Sequence, residues 1–192
     1  NEVKFLVKNI QLDVEDEIKL NNAEIRDILL PRIGKETTLA GLNDLQDQIT
    51  AYCRSHGYPA AAAYLPAQES DDGNVILKVI PGRYGDVKID NNSRFKDAAA
   101  EGFLAGLKKG KIIETKDLET ALYTISDFSG ARAVGTLSAG KSFGLSDVTV
   151  HIEDGKPSST IVYAENYGGD STGRYRYGAQ HAIYNADGMG AK

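Results

Sequence analysis

One cysteine, Cys53, stands among 192 residues, which leaves no disulfide within the chain and no cysteine-built metal site. Long apolar runs are missing too. No stretch of 18 apolar residues occurs and no basic-then-apolar leader opens the sequence, so neither a membrane-spanning helix nor an export signal is expected in the residues given. Basic residues are short: 22 Lys and Arg stand against 27 Asp and Glu, a net charge of -5, with Lys108, Lys109 and Lys111 as the one tight basic cluster. Affinity for phosphate backbones rests on clustered cations, so no nucleic-acid partner is expected. Catalytic patterns are lacking as well: there is no G-x-S-x-G elbow, no H-E-x-x-H and no phosphate-cradling glycine loop. His56, His151 and His181 share no ligand spacing, and Cys53 sits on an apolar helical stripe, where thiols pack rather than react. The sequence therefore reads as neither an enzyme nor a metal or cofactor protein.

What is present is a composition of 41% hydrophobic and 26% charged residues, that of a folded chain, and an internal repeat. A shift of 73 residues carries Leu45, Ile49, Tyr52 and Gly57 onto Leu118, Leu122, Ile125 and Gly130. It also carries Val75, Leu77, Val79 and Gly82 onto Val148, Val150, Ile152 and Gly155, and a one-residue slip between these blocks sets Tyr64 against Thr136.

In the first copy, Val3 to Leu12 alternates as a strand whose parity changes near Asn9. Asn22 precedes a short amphipathic helix through Ile25, Ile28 and Leu29, stopped by Pro31 and Gly34. Thr38 can cap a longer helix with the stripe Leu39, Leu42, Leu45, Ile49, Tyr52 and Cys53, ending at His56-Gly57. Tyr58 to Gln68 and Asn74 to Ile80 read as strands joined by an Asp-Asp-Gly turn. The second copy repeats the order: a strand at Tyr84 to Asp90, helices at Phe95 to Leu107 and Lys116 to Phe128, and strands at Ala131 to Ser138 and Asp147 to Glu153. Each unit is β-α-α-β-β, a three-stranded sheet with both helices on one face.

From Lys156-Pro157 the helical periods stop and Tyr, Gly and Thr accumulate. Ser158 to Tyr167 and Gly173 to Tyr184 read as strands around a Gly168 to Thr172 turn, near the roughly 9 to 11 residues a bilayer-spanning strand needs. Alternation alone fits equally a hairpin from a soluble β-domain. Two strands cannot close a barrel, so any pore needs further sequence.

Gly57-Tyr58-Pro59, Leu65-Pro66-Ala67-Gln68, Asp72-Gly73 and Val79-Ile80-Pro81-Gly82-Arg83-Tyr84 resemble the polypeptide-transport-associated (POTRA) signature of the two-partner secretion transporters, relatives of the haemolysin and filamentous-haemagglutinin exporters. The second copy is similar to their membrane-proximal unit through Asp117-Leu118-Glu119-Thr120-Ala121-Leu122 and Ser129-Gly130-Ala131, with Ser129 where a Pro is usual. Asn166-Tyr167-Gly168-Gly169 and Thr172-Gly173-Arg174-Tyr175-Arg176 resemble the start of the family's barrel.

The resemblance implies an α+β chain of two tandem POTRA domains, 1–82 and 83–155, followed at 156–192 by the first strands of a truncated transmembrane β-barrel. It further implies the periplasmic recognition region of an outer-membrane transporter that exports an unfolded exoprotein, bound through its N-terminal secretion domain, without ATP. The alternative is a periplasmic chaperone or assembly factor for outer-membrane barrels. An extended client can add a strand to a free sheet edge. The expected edges are the second strands, at Ala62, Ala63, Tyr64 and Leu65 and at Val134, Gly135, Thr136 and Leu137, whose hairpin pairing would leave the other side available. The alternative for Leu65, Val134 and Leu137 is that they are core.

Overall fold

The parity change near Asn9 marks a break between two strands. The computed structural model describes residues 3–15, 17–69, 72–165, 167 and the backbone of 182–185. In it β1 (Phe5–Val7) pairs antiparallel with β3 (Lys35–Thr37), while β2 (Asn9–Val14) enters a separate sheet. The amides of Lys8 and Asn9 both donate to the Gly73 carbonyl, at 2.8 and 3.2 Å, where the chain passes from one sheet to the other. Lys-Glu-Thr at 35–37 carries no apolar alternation, so β3 has no strand signal in the sequence.

The chain divides into two compact units, 1–81 and 82–192. In unit 1, α1 (Asn22–Leu29) is capped by Asn21, one residue earlier than expected, whose side chain accepts from the Ala23 and Glu24 amides at 2.9 and 3.0 Å. Thr38 caps α2 (Leu39–Ser55) through the Gly41 amide at 3.1 Å. Leu42, Leu45, Ile49 and Cys53 form the buried stripe of α2, whereas Leu39 in its first turn is exposed. Unit 1 also buries Val75, Leu77 and Val79 of β5 (Asn74–Ile80), its central strand. Each such side chain contributes about 1.5–3 kcal/mol by leaving water. The sheet order is β2-β5-β4, with β2 parallel and β4 (Ala62–Tyr64) antiparallel to β5.

β4 is shorter than the expected Tyr58 to Gln68 run. Before it, Ala61 N–H bonds to the Tyr58 carbonyl at 3.0 Å and closes a turn. Beyond it, the Gln68 side chain replaces main chain: its Oε1 accepts from the Ile76 amide at 2.7 Å and its Nε2 donates to the Ile76 carbonyl at 2.9 Å.

Unit 2 repeats the plan with β6 (Arg83–Asn92), α3 (Asp97–Leu104), α4 (Thr115–Ser129), β7 (Arg132–Ala139) and β8 (Leu145–Glu153). β8 is central, parallel to β6 and antiparallel to β7. Leu118, Leu122 and Ile125 of α4 are fully buried with Val148, Val150 and Ile152 of β8. Gly130, at φ 67, ends α4 in the left-handed conformation that glycine adopts most cheaply, and Ser129 Oγ accepts the Ala131 amide at 2.9 Å.

The second sheet does not stop at three strands. β9 (Ser158–Tyr163) lies parallel on β7, and β10 (Ala182–Asn185) pairs antiparallel with β9, so the order is β10-β9-β7-β8-β6. The first strand assigned to a lipid-facing barrel, Ser158 to Tyr167, here serves as an added strand of the unit 2 sheet. Its alternation explains this: Ser159, Ile161 and Tyr163 are buried, and α4 packs on β9, so the apolar face meets protein. Of the expected strand Gly173 to Tyr184, only 182–184 are described, within β10; its remainder and the 168–172 turn lie outside the described residues. Among the described residues, no helix is long and apolar enough to cross a membrane.

Candidate strand-accepting edges

A strand edge offers N–H and C=O groups on alternate residues, about 6.6–6.8 Å apart, and whatever pairs with it must match that spacing. In unit 1, Ala62 and Tyr64 lie opposite Ile80 and Lys78 of β5, which turns the backbone groups of Ala61, Ala63 and Leu65 to the outer side. These groups are already bonded. Arg54 Nε donates to the Ala61 carbonyl at 2.9 Å. Thr50 Oγ1 accepts the Ala63 amide at 2.8 Å and donates to the Ala63 carbonyl at 3.4 Å. Gln46 Oε1 accepts the Leu65 amide at 3.0 Å.

The three side chains come from successive turns of α2, four residues and about 6 Å apart, a step that nearly equals two strand residues. All three are buried, at 3% for Gln46, 0% for Thr50 and 8% for Arg54. Buried polar side chains are tolerated where they are hydrogen-bonded, and these spend their bonds on the strand edge. Helix α2 thus stands where a fourth strand would, and the expected availability of Ala62 to Leu65 does not hold in this structure.

Unit 2 treats the same edge differently. Positions 46, 50 and 54 shift to Glu119, Tyr123 and Asp127, with Tyr123 and Asp127 exposed. Burial pushes the Glu119 carboxyl above the ordinary carboxylate range, and its Oε2 is buried without a hydrogen-bond partner. Along β7 the outer edge is taken by β9 in register, from Arg132 opposite Ser158 to Leu137 opposite Tyr163, with the Ala164 amide on the Leu137 carbonyl at 2.8 Å; among the described residues, α4 side chains reach this edge only at Ala131, just before β7, where Ser126 Oγ donates to the carbonyl at 2.8 Å and Ser129 Oγ accepts the amide. Val134, Gly135, Thr136 and Leu137 are therefore strand-paired on both sides, and the expected free edge is filled by the chain itself. Leu137 is fully buried core, whereas Val134 and Leu65 are half-buried.

Two units of this topology, each with a pair of helices ahead of its closing hairpin, make up the described fold. Residues 5–82 match the POTRA domain family of the ShlB type. Residues 5–82 are a POTRA domain of that type. Over 98% of its length it is homologous to the heme/hemopexin transporter protein HuxB of Haemophilus influenzae, at 32% identity in strain Rd and 31% in strain 86-028NP. It spans about a third, 34%, of the length of these curated relatives. Among solved structures it shares its fold with CdiB from Escherichia coli, at a TM-score of 0.61 and 23% identity over 82% of this chain and 29% of that one. POTRA domains 1–3 of the periplasmic domain of Omp85 from Anabaena superpose at 0.57, with 17% identity over 79% of this chain and 66% of that one.

Beside the first strands, each unit has a groove in the corresponding place. In unit 1 it measures about 430 Å³ between β2 and α1, lined by Leu12, Val14, Ile18 and Ile25 among others. In unit 2 it measures about 300 Å³ between β6 and α3, lined by Val87, Ile89, Glu101 and Leu104. The start of β6 is covered, because Tyr84 N–H donates to the Lys111 carbonyl and the Gly110 amide to the Tyr84 carbonyl, at 2.9 and 2.8 Å. Farther along, Asp90 meets His151 Nδ1 at 3.0 Å. Among the described residues no His, Cys, Asp and Glu cluster could hold a metal ion.

Proposed function

We propose that this chain is the periplasmic recognition region of an outer-membrane transporter that exports an unfolded exoprotein, taking hold of that client's N-terminal secretion domain and passing it on without ATP. The observation that carries the reading is β9 on β7: an extended segment held through main-chain hydrogen bonds, with alternate side chains Ser159, Ile161 and Tyr163 buried beneath α4. Gripping an unfolded polypeptide calls for this kind of contact, since backbone bonds make little demand on sequence and alternate pockets supply preference. Homology to the HuxB transporters over nearly the whole chain supports the same reading.

The test is site-specific photocrosslinking in the full-length transporter during secretion of its partner. A crosslinker at Thr136 on β7 is expected to trap the exoprotein as the client takes the place of β9 during secretion, and one at the exposed Lys116 in the first turn of α4 is not. Secretion that proceeds with no client adduct at Thr136 would overturn the reading. Adducts to nascent barrel proteins instead would favour the assembly-factor alternative.

A further inference from the structure

The two units carry the same strand edge but close it by different means, and the difference lies in three side chains. We propose that Gln46, Thr50 and Arg54 form a side-chain latch that shuts the β4 edge of unit 1 to strand addition, leaving the β7 edge of unit 2 as the one of the pair that takes an extended polypeptide. The geometry supports a latch in three ways. The helix step and the strand step agree, so one helix serves three alternate edge residues in register. The bonds use both polarities of the edge, carbonyls at Ala61 and Ala63 and amides at Ala63 and Leu65, as a partner strand would. The latch residues are buried, so an incoming strand must displace α2 side chains from the core before it can reach the backbone.

In unit 2 the α4 hydroxyls of Ser126 and Ser129 bond Ala131 just ahead of β7, and the residues at the three latch positions do not carry such bonds along the strand. Tyr123 cannot reach two backbone groups as the short Thr50 hydroxyl does, and an Asp at position 127 has no donor for a carbonyl when ionised. The edge there accepts a parallel strand with a small or apolar residue at every second position, as β9 has in Ser159, Ile161 and Tyr163. The partner class is an extended segment of β9-like alternation. The exoprotein as the physiological source of that segment rests on the proposed function, but the latch itself does not.

The experiment uses the 192-residue chain and a synthetic peptide copying residues 157–164 with a photoreactive group in place of Val162. Amide exchange and crosslinking are followed in the wild type and in the Gln46→Leu/Thr50→Val double variant. In the wild type, Ala63 and Leu65 are expected to be protected and the peptide to leave residues 61–65 unlabelled. In the double variant, exchange at those two amides is expected to rise at least tenfold while Val75, Leu77 and Val79 stay protected, and the peptide is expected to label 61–65. Unchanged protection at Ala63, equal labelling of the wild type, or an opened edge that takes no peptide would each overturn the latch. If the double variant does not fold, Gln46→Met carries the same measurements at Leu65 alone. Because no exoprotein is used, failure here is distinct from failure of the export reading.

Discussion

A β-carbon on Gly135 would lie 2.9 Å from Leu122 Cδ1, so the missing side chain of one residue on β7 is what lets α4 approach the sheet. Leu122 is fully buried and has little room to retreat. Gly135→Val places three carbons in that contact and is expected to cost about 2 kcal/mol, within the usual range for overpacking a close-packed core. Urea denaturation followed by a unit 2 probe measures it. Wild-type stability in the variant would mean that α4 is not seated this closely.

Cys53 offers a pH test confined to unit 1. Burial pushes its thiol up to about 11 from an ordinary 9.0, so the folded state keeps the proton that the unfolded state loses. The associated stability is fully present below pH 9 and is lost as pH rises toward 11, on the order of 2–3 kcal/mol at most. Unit 1 is expected to weaken across that window and the Cys53→Ala variant to weaken less steeply. Thiol reagents at neutral pH are expected to label the native chain only at the rate of its opening, and fast labelling would contradict the burial.

Gln68 supports the sheet as if it were main chain, with both atoms of its amide on Ile76. Gln68→Leu keeps most of the volume but leaves the Ile76 amide and carbonyl without these bonds. Loss of about 1–2 kcal/mol is expected, since abandoned backbone groups retain their desolvation cost. Gln68→Glu preserves an acceptor for the Ile76 amide but faces the carbonyl with a carboxylate, so it is expected to lose nearly as much. Equilibrium unfolding of the three proteins ranks them; equal stability would assign the Gln68 bonds no role.

The long helices and central strands were legible because period and burial coincide: Leu42, Leu45 and Ile49 recur at helical spacing, and Val75, Leu77 and Val79 alternate. The Thr38 cap and the strand break near Asn9 were readable for the same local reasons. The state of the edges was not, because it depends on side chains distant in sequence. Gln46, Thr50 and Arg54 flank the apolar stripe of α2 at four-residue spacing, a signal that was present but indistinguishable from an ordinary polar border until β4 was placed beside it. Ser159, Ile161 and Tyr163 carried a clear two-residue alternation, yet alternation names a face and not its partner, and lipid and α4 are both apolar. β3 was invisible for the opposite reason, since Lys35, Glu36 and Thr37 pair through backbone alone.

The docking of β9 is the feature most open to a single substitution. Parallel pairing of Leu137 with Tyr163, with the Ala164 amide on the Leu137 carbonyl, turns the amides of Thr160 and Val162 toward β7. Val162→Pro removes one of these donors and sets a ring against the neighbouring strand, which proline tolerates only at an edge facing away from its partner. Release of β9 is expected, seen as loss of amide protection at Thr160 and Ala164 and at Gly135 and Leu137 on the β7 side, while Val148, Val150 and Ile152 of β8 remain protected. The freed edge should then take the 157–164 peptide in the variant and not in the wild type, where the tethered strand competes at high local concentration. Thr160→Val leaves the backbone donor in place and serves as the control. If Val162→Pro leaves Gly135 and Leu137 fully protected, β7 does not owe its outer pairing to β9, and the self-filled edge on which the client-holding reading rests is lost with it.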